Sequence, residues 1–115
     1  MKQRYIVVPK DTSAEKALDY NEATDEQLIQ VILDNEQFNS LYHSTFFEFI
    51  NDVGNANIDD YEDLRINEMK DIENVHNVLS KNINKFGTEN KSIVTEIMNL
   101  FKQAKERKTS VWFYF

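Results

Sequence analysis

The feature that most limits the fold is the position of the two strand-like runs, which stand at opposite ends of the chain. Arg4–Val8 (Arg-Tyr-Ile-Val-Val) and Ser110–Phe115 (Ser-Val-Trp-Phe-Tyr-Phe) are rich in β-branched and aromatic residues, and Pro9 ends the first. Each is apolar on both faces: Ile6 and Val8 alternate with Tyr5 and Val7, and Val111, Phe113 and Phe115 with Trp112 and Tyr114. Pairing the termini would bury both runs together. A two-stranded ribbon is marginal in water, so helices must cover at least one of its faces.

Everything between reads as helix. Thr12-Ser-Ala-Glu15 and Thr24-Asp-Glu-Gln27 both have the spacing of a capping box, in which the hydroxyl accepts an early backbone N–H and the Glu or Gln reaches back. The first opens a helix over 13–20. The second opens one over 25–34, with Leu28, Ile29, Ile32 and Leu33 on one face. Asn35 breaks the chain before a third helix, 36–53. There Phe38, Leu41, Tyr42, Phe46, Phe49, Ile50 and Val53 recur at helical spacing. Gly54 suits the left-handed position past that helix end, and 55–60 is a polar loop. A long helix over 61–85 buries Met69, Ile72, Val75, Leu79, Ile83 and Phe86, with Gly87 closing it. Thr88 then caps a last helix, 89–107, buried through Ile93, Ile97, Leu100, Phe101 and Ala104. The expectation is one α+β domain over 1–115, mostly helical: four to five helices packed with a short antiparallel ribbon formed by the N- and C-terminal strands. The length suits a single core.

Charge bears on partners. Between Asp11 and Asp63 stand fourteen carboxylates and one cation, Lys16, a net of −13 within a chain of net −7. The flanking parts are each net positive. So one-sided a field favours a cationic partner and argues against direct contact with nucleic-acid phosphates, which takes clustered Lys and Arg. With 41% hydrophobic and 12% aromatic residues the chain is too apolar for a disordered acidic tail. It has no Cys, and no segment with the length of a membrane span or the pattern of a signal peptide, so a cytoplasmic location without membrane association is expected.

Sites of chemistry are scarce. His43 and His76 lack the i, i+4 partner of a zinc helix and read as boundary residues. An EF-hand loop started at Asp52 would put Gly54 and Ala56 where oxygen ligands are needed. The run Asp59-Asp60-Tyr61-Glu62-Asp63 reads by default as a solvated acidic helix start, with a looser divalent site as the alternative. Two glycines leave no room for phosphate-cradling loops, and no nucleophile motif occurs. No cofactor, metal or catalytic residue is expected. Tyr61 within its acidic run, and Phe47 off the buried stripe of its helix, suggest interface anchors with a polar rim, although ordinary packing explains both as well.

The layout resembles small bacterial immunity proteins found beside polymorphic toxins, including those of contact-dependent inhibition systems. The parts that carry the resemblance are the N-terminal strand, the acidic stretch from Thr24-Asp-Glu-Gln-Leu-Ile through Asn35-Glu-Gln-Phe-Asn-Ser-Leu-Tyr, Ile58-Asp-Asp-Tyr-Glu-Asp63, and the tail Val111-Trp-Phe-Tyr-Phe115. The resemblance implies a cytoplasmic inhibitor that binds one cognate toxin and blocks its active site. Many such toxins are basic nucleases. Clustered carboxylates would steer such an inhibitor to a cationic cleft. The expected contact residues are Asp19, Glu22, Asp25, Glu26, Asp34, Phe47, Asp52, Asp59, Asp60, Tyr61, Glu62 and Asp63. Other readings are a phage-type inhibitor or DNA mimic acting on a nucleic-acid enzyme, an acidic regulatory or adaptor domain, and an enzyme. An uncovered edge of the terminal ribbon could also accept a partner strand or form a dimer; the oligomeric state is left open.

Overall fold

In a computed structural model, described over residues 3–115, the two terminal runs pair as expected but form the middle of a larger sheet. Strand β1 (Arg4–Pro9) is antiparallel to β4 (Val111–Tyr114) through Tyr5–Tyr114, Ile6–Phe113 and Val7–Trp112. Strand β2 (Leu28–Leu33) joins β1 on one side and β3 (Asp63–Ile66) joins β4 on the other, giving the order β2-β1-β4-β3. The fold is α+β and mostly helical, with five helices among the described residues. The edges of the sheet are therefore β2 and β3. Both strands of the terminal ribbon have neighbours on each side, so the ribbon itself has no open edge.

Strands β2 and β3 correct two expected helices. At Thr24 the local prediction is met in part: its N–H donates to Gln27 Oε1 at 3.0 Å, and the Gln27 N–H to the Thr24 carbonyl at 3.0 Å. Yet only a 3₁₀ turn, Asp25–Gln27, follows. Leu-Ile-Gln-Val-Ile-Leu then extends and pairs with β1 along its whole length. A short apolar run of this kind satisfies both periods, and tertiary pairing decides between them. The expected 61–85 helix likewise begins with β3, and its helical part is α4 (Met69–Lys81).

The other helices are α1 (Thr12–Asp19), α2 (Asn35–His43), α3 (Phe46–Gly54) and α5 (Lys91–Arg107). Asp11, rather than Thr12, caps α1, accepting the Ala14 N–H at 2.7 Å. Asp34 caps α2, accepting from the Gln37 N–H at 2.8 Å, while the Asp34 N–H donates back to Gln37 Oε1 at 3.0 Å. The expected 36–53 helix is two. Thr45, at φ +67°, turns the chain between α2 and α3. A β-branched residue there is strained, because Cβ crowds the carbonyl oxygen. Gly54 ends α3, and Asn55 takes the left-handed position expected of it, at φ +52°. Glycine is needed at 54 for space: a Cβ would stand 2.8 Å from Val75 Cγ2.

One core unites β-strand residues Ile6, Val8, Val31, Leu33, Ile66, Val111 and Phe113 with the inner faces of α2–α5. Phe38, Phe46, Phe47, Phe86 and Phe115 form a network of edge-on and stacked rings with centroids 5.0–5.4 Å apart, within the range aromatic quadrupoles favour. Helix α1 lies on the opposite side of the sheet, where Leu18 and Asp19 share a groove with Trp112 and Tyr114. Among the described residues, no helix is long and apolar enough to cross a membrane.

Candidate interaction surface

Antiparallel register divides the acidic segment between the two ends of the sheet. Asp34 follows the last residue of β2, Leu33, which pairs with Arg4 at the start of β1, and Asp63 opens β3 opposite Tyr114 of β4. These residues and the loop Asp59–Glu62 occupy one end. Asp11, Asp25 and Glu26 belong to the other, where the Lys10 N–H donates to the Gln27 carbonyl and Arg107 Nη1 reaches the Lys10 carbonyl at 3.2 Å. The six-residue β2 separates the two groups by about 17 Å at the usual rise per residue. Asp52 stands on α3, apart from both.

The end that holds Asp34 and Asp63 is built around a buried cation. Arg4 is 5% exposed and lies over the Phe38 ring, 3.8 Å from its centroid. Its guanidinium donates to Asp60 Oδ1 at 3.0 and 2.9 Å, to Asp60 Oδ2 at 3.1 Å, and to Asn35 Oδ1 at 2.8 Å. A planar fork is matched here by a carboxylate and an amide oxygen, so the buried guanidinium is paired by a partly exposed acid. Asp60 is thus engaged in holding the loop to β1 and α2, a different task from the rim contact expected of it. Tyr61 and Glu62 are laced to the chain end: the Tyr61 N–H donates to the Phe115 carbonyl at 3.0 Å, and the Phe115 N–H to the Glu62 carbonyl at 3.4 Å. Tyr61 itself is at φ +65° and 79% exposed. Asp59 and Glu62 beside it are exposed.

Phe47 corrects another expectation. It is 4% exposed, stacked on Phe38 and edge-on to Phe115, and belongs to the core instead of a partner surface. The break at Thr45 rotates α3 relative to a continuous helix and so brings this residue inward. Asp19 ends α1 and bridges to Arg65 of β3 at 3.0 Å, with both side chains about half exposed. Glu22, Asp25 and Glu26 are exposed in the turn that leads to β2.

Two features depend on tertiary structure and were invisible in the sequence order. Asp34 and Glu36 line a groove of about 270 Å³ with Glu89 and Glu96, which come from the cation-rich C-terminal half. Asn90 closes its floor, donating to the Phe86 carbonyl at 2.8 Å. The second is a row on the α1 side of the sheet, Ile32–Tyr5–Tyr114–Asp63, in which each residue pairs with the next across four strands. Ile32 is 47% exposed, and Tyr5 and Tyr114 are partly exposed. The alternation of Tyr5 and Tyr114 with core residues was the only signal for it. Burial, and then the Asp63 carboxylate, push the Tyr114 phenol above its ordinary pKa; Arg65 opposes this and Asp19 adds a smaller push.

The histidines carry no constellation. His43 is exposed at the end of α2. His76 on α4 has a buried Nδ1 with no hydrogen-bond partner; burial, then Lys105 and Lys102, hold its pKa below the ordinary value. Among the described residues, no three His, Asp or Glu side chains converge as a metal ion would require. No family model, curated protein or solved structure matches the chain.

Proposed function

We propose that this protein is a toxin-neutralising immunity protein: a non-catalytic acidic domain that binds a basic, nuclease-type toxin and blocks it. The observation that supports this most directly is the loop Asp59–Asp63. It is tied from beneath by Arg4 and Phe115 and presents a strained, exposed Tyr61 among Asp59, Glu62 and Asp63. A left-handed backbone suits Gly or Asn far better than Tyr, and strain of this kind collects at functional positions. A loop already fixed by the fold also loses little entropy on binding. Its carboxylates would steer the encounter, and the tyrosine would supply a buried contact within a charged rim.

The chemistry of the grooves is consistent with this reading: where a hydroxyl meets a carboxylate, Ser110 donating to Glu15 Oε2, the hydroxyl is buried and also accepts from Trp112 Nε1, so the pair ties the start of β4 to α1. A DNA mimic receives less support, because it needs an elongated row of carboxylates and the acids here fall into two groups at opposite ends of the sheet. An adaptor domain with a merely solubilising surface would lose nothing on neutralisation of Asp59, Glu62 and Asp63.

The test is stopped-flow association with the toxin domain encoded beside it. The expected association rate falls at least about tenfold between roughly 50 and 500 mM salt, and Tyr61→Ala speeds dissociation by about tenfold or more. Salt-independent association, or no complex with such a domain, would oppose the proposal. So would an enzymatic activity of the purified protein that disappears with one carboxylate.

A further inference from the structure

We infer that the open strip Ile32–Tyr5–Tyr114 is the apolar centre of the docking surface, and that its occupant is a cationic protein segment whose Lys or Arg side chains reach the carboxylates flanking it. This rests on the binding reading above and adds where the partner's apolar residues sit.

The strip arises from incomplete cover. Side chains alternate between the faces of a strand, so Tyr5, Val7, Trp112 and Tyr114 all point away from the main core. Helix α1 and the turn after it reach only part of that face. In the row containing Val7 that residue is 2% exposed, Gln30 and Trp112 are half-buried, and Arg65 lies 4.9 Å from the centroid of the Trp112 ring. In the next row on this face none of Ile32, Tyr5 and Tyr114 is buried as Val7 is, Ile32 being 47% exposed and the two tyrosines partly exposed. Adjacent strands are about 4.8 Å apart, so the three side chains make one contiguous ridge across neighbouring strands. Apolar surface of this kind inside a charged border is the anatomy of an interface centre and its rim.

Charge decides among the occupants. Asp63 completes the row at the β3 edge, preceded by the exposed Glu62, whereas Asp34 beyond the β2 edge is taken up in capping α2. Aromatic side chains on a sheet can stack nucleobases, but such platforms track the phosphate backbone with cations. The Arg65 charge beside this strip is already bridged to Asp19. A second copy of the chain would bring another surface of net −7 against this one. A segment that alternates apolar and basic residues satisfies both parts: its apolar side chains cover the ridge and its cations meet the border. Tyrosine suits the task, having a flat apolar ring and a hydroxyl at the wet edge; the Tyr5 hydroxyl already donates to Gln3 Oε1 at 3.0 Å.

The test uses the isotope-labelled full chain and a short synthetic peptide alternating lysine with valine, followed by NMR titration. The largest shifts are expected at Ile32, Tyr5, Tyr114 and Asp63, and Ile32→Ser should weaken binding by about fivefold or more. Ile32 is half exposed, so this variant keeps its fold, which the unbound spectrum verifies. Asp63→Asn should weaken binding and reduce its salt dependence. If the peptide binds in a salt-dependent way at Asp59–Glu62 and ignores Ile32→Ser, the strip is overturned while the acidic-binding reading stands. Absence of binding overturns the strip for the basic segment proposed, and a salt-dependent complex with the toxin domain would then still support the broader reading. Tighter binding of a glutamate–valine peptide or a short oligothymidylate, or a dimer that Ile32→Lys dissociates, overturns the inference in favour of another occupant.

Discussion

Two neighbouring rows of the same sheet have opposite fates. Val31–Ile6–Phe113–Leu64 crosses all four strands on the side of α2–α5; three of its members are buried, and Leu64 packs against the core. One residue along, Ile32–Tyr5–Tyr114–Asp63 crosses the same strands and faces outward. The second row is the more polar, with tyrosines in place of Ile6 and Phe113 and with Asp63 in place of Leu64. What separates them is how much helix each side of the sheet receives: four helices on one and the short α1 on the other. The first row therefore reports on stability and the second on recognition, and substitutions should divide accordingly.

The largest effect is expected on the sealed side. Phe113 is fully buried, edge-on to Phe115 and tilted against Phe101. Phe113→Ala should lower unfolding stability by about 4 kcal/mol through lost burial and the cavity left behind. Chemical denaturation of the variant measures this; a loss below about 1 kcal/mol would mean that the two rows are not distinguished by packing.

Arg4 comes next. Arg4→Met keeps most of the apolar stem over Phe38 but removes the guanidinium's hydrogen bonds to Asp60 and Asn35. The expected loss is about 2 kcal/mol, through the charge-assisted hydrogen bonds that the guanidinium no longer makes. Hydrogen exchange should locate the loosening at Asp59–Glu62 and the start of α2. Uniform loosening would show that Arg4 serves packing rather than the loop.

Much of this architecture is legible in the sequence, and the failures share a cause. The terminal pairing followed from two apolar runs that each needed cover, and α5 from a long periodic stripe with cations in its last turn. Leu28–Leu33 failed because Leu28, Ile29, Ile32 and Leu33 fit a helical face as well as a strand, and its pairing partner, β1, is distant in sequence. Thr45 failed because no local rule puts a β-branched residue at positive φ; the tertiary fold imposes it. Phe47 was misjudged for the same reason, since its burial follows from that turn. The contact surface was only partly legible: charge pointed to the acids, but which of them share an end of the sheet depends on register. Asp60 shows the limit most clearly, for an acid cannot be assigned to a rim until Arg4 is found beneath it.

Thr45 supplies a smaller and opposite prediction. Thr45→Asn should raise stability by about 1 kcal/mol, since Asn enters the left-handed region more readily and Thr45 is exposed. A rise in thermal midpoint tests it. An unchanged or lower midpoint would mean that the Thr side chain compensates its own strain.

The smallest stability effect is expected on the open row, and it carries the most information about function. Ile32→Ser removes a side chain that is 47% exposed, so the loss should be about 0.5 kcal/mol or less once its weaker strand propensity is included. The same substitution should nonetheless impair recognition, because an interface centre contributes through burial that occurs only in the complex. The comparison is sharpest when both quantities are measured on one variant: the midpoint of denaturation barely moves while dissociation from a cationic partner quickens. A large stability loss instead would mean that Ile32 already belongs to the folded core, and the two rows would then differ in degree rather than in role.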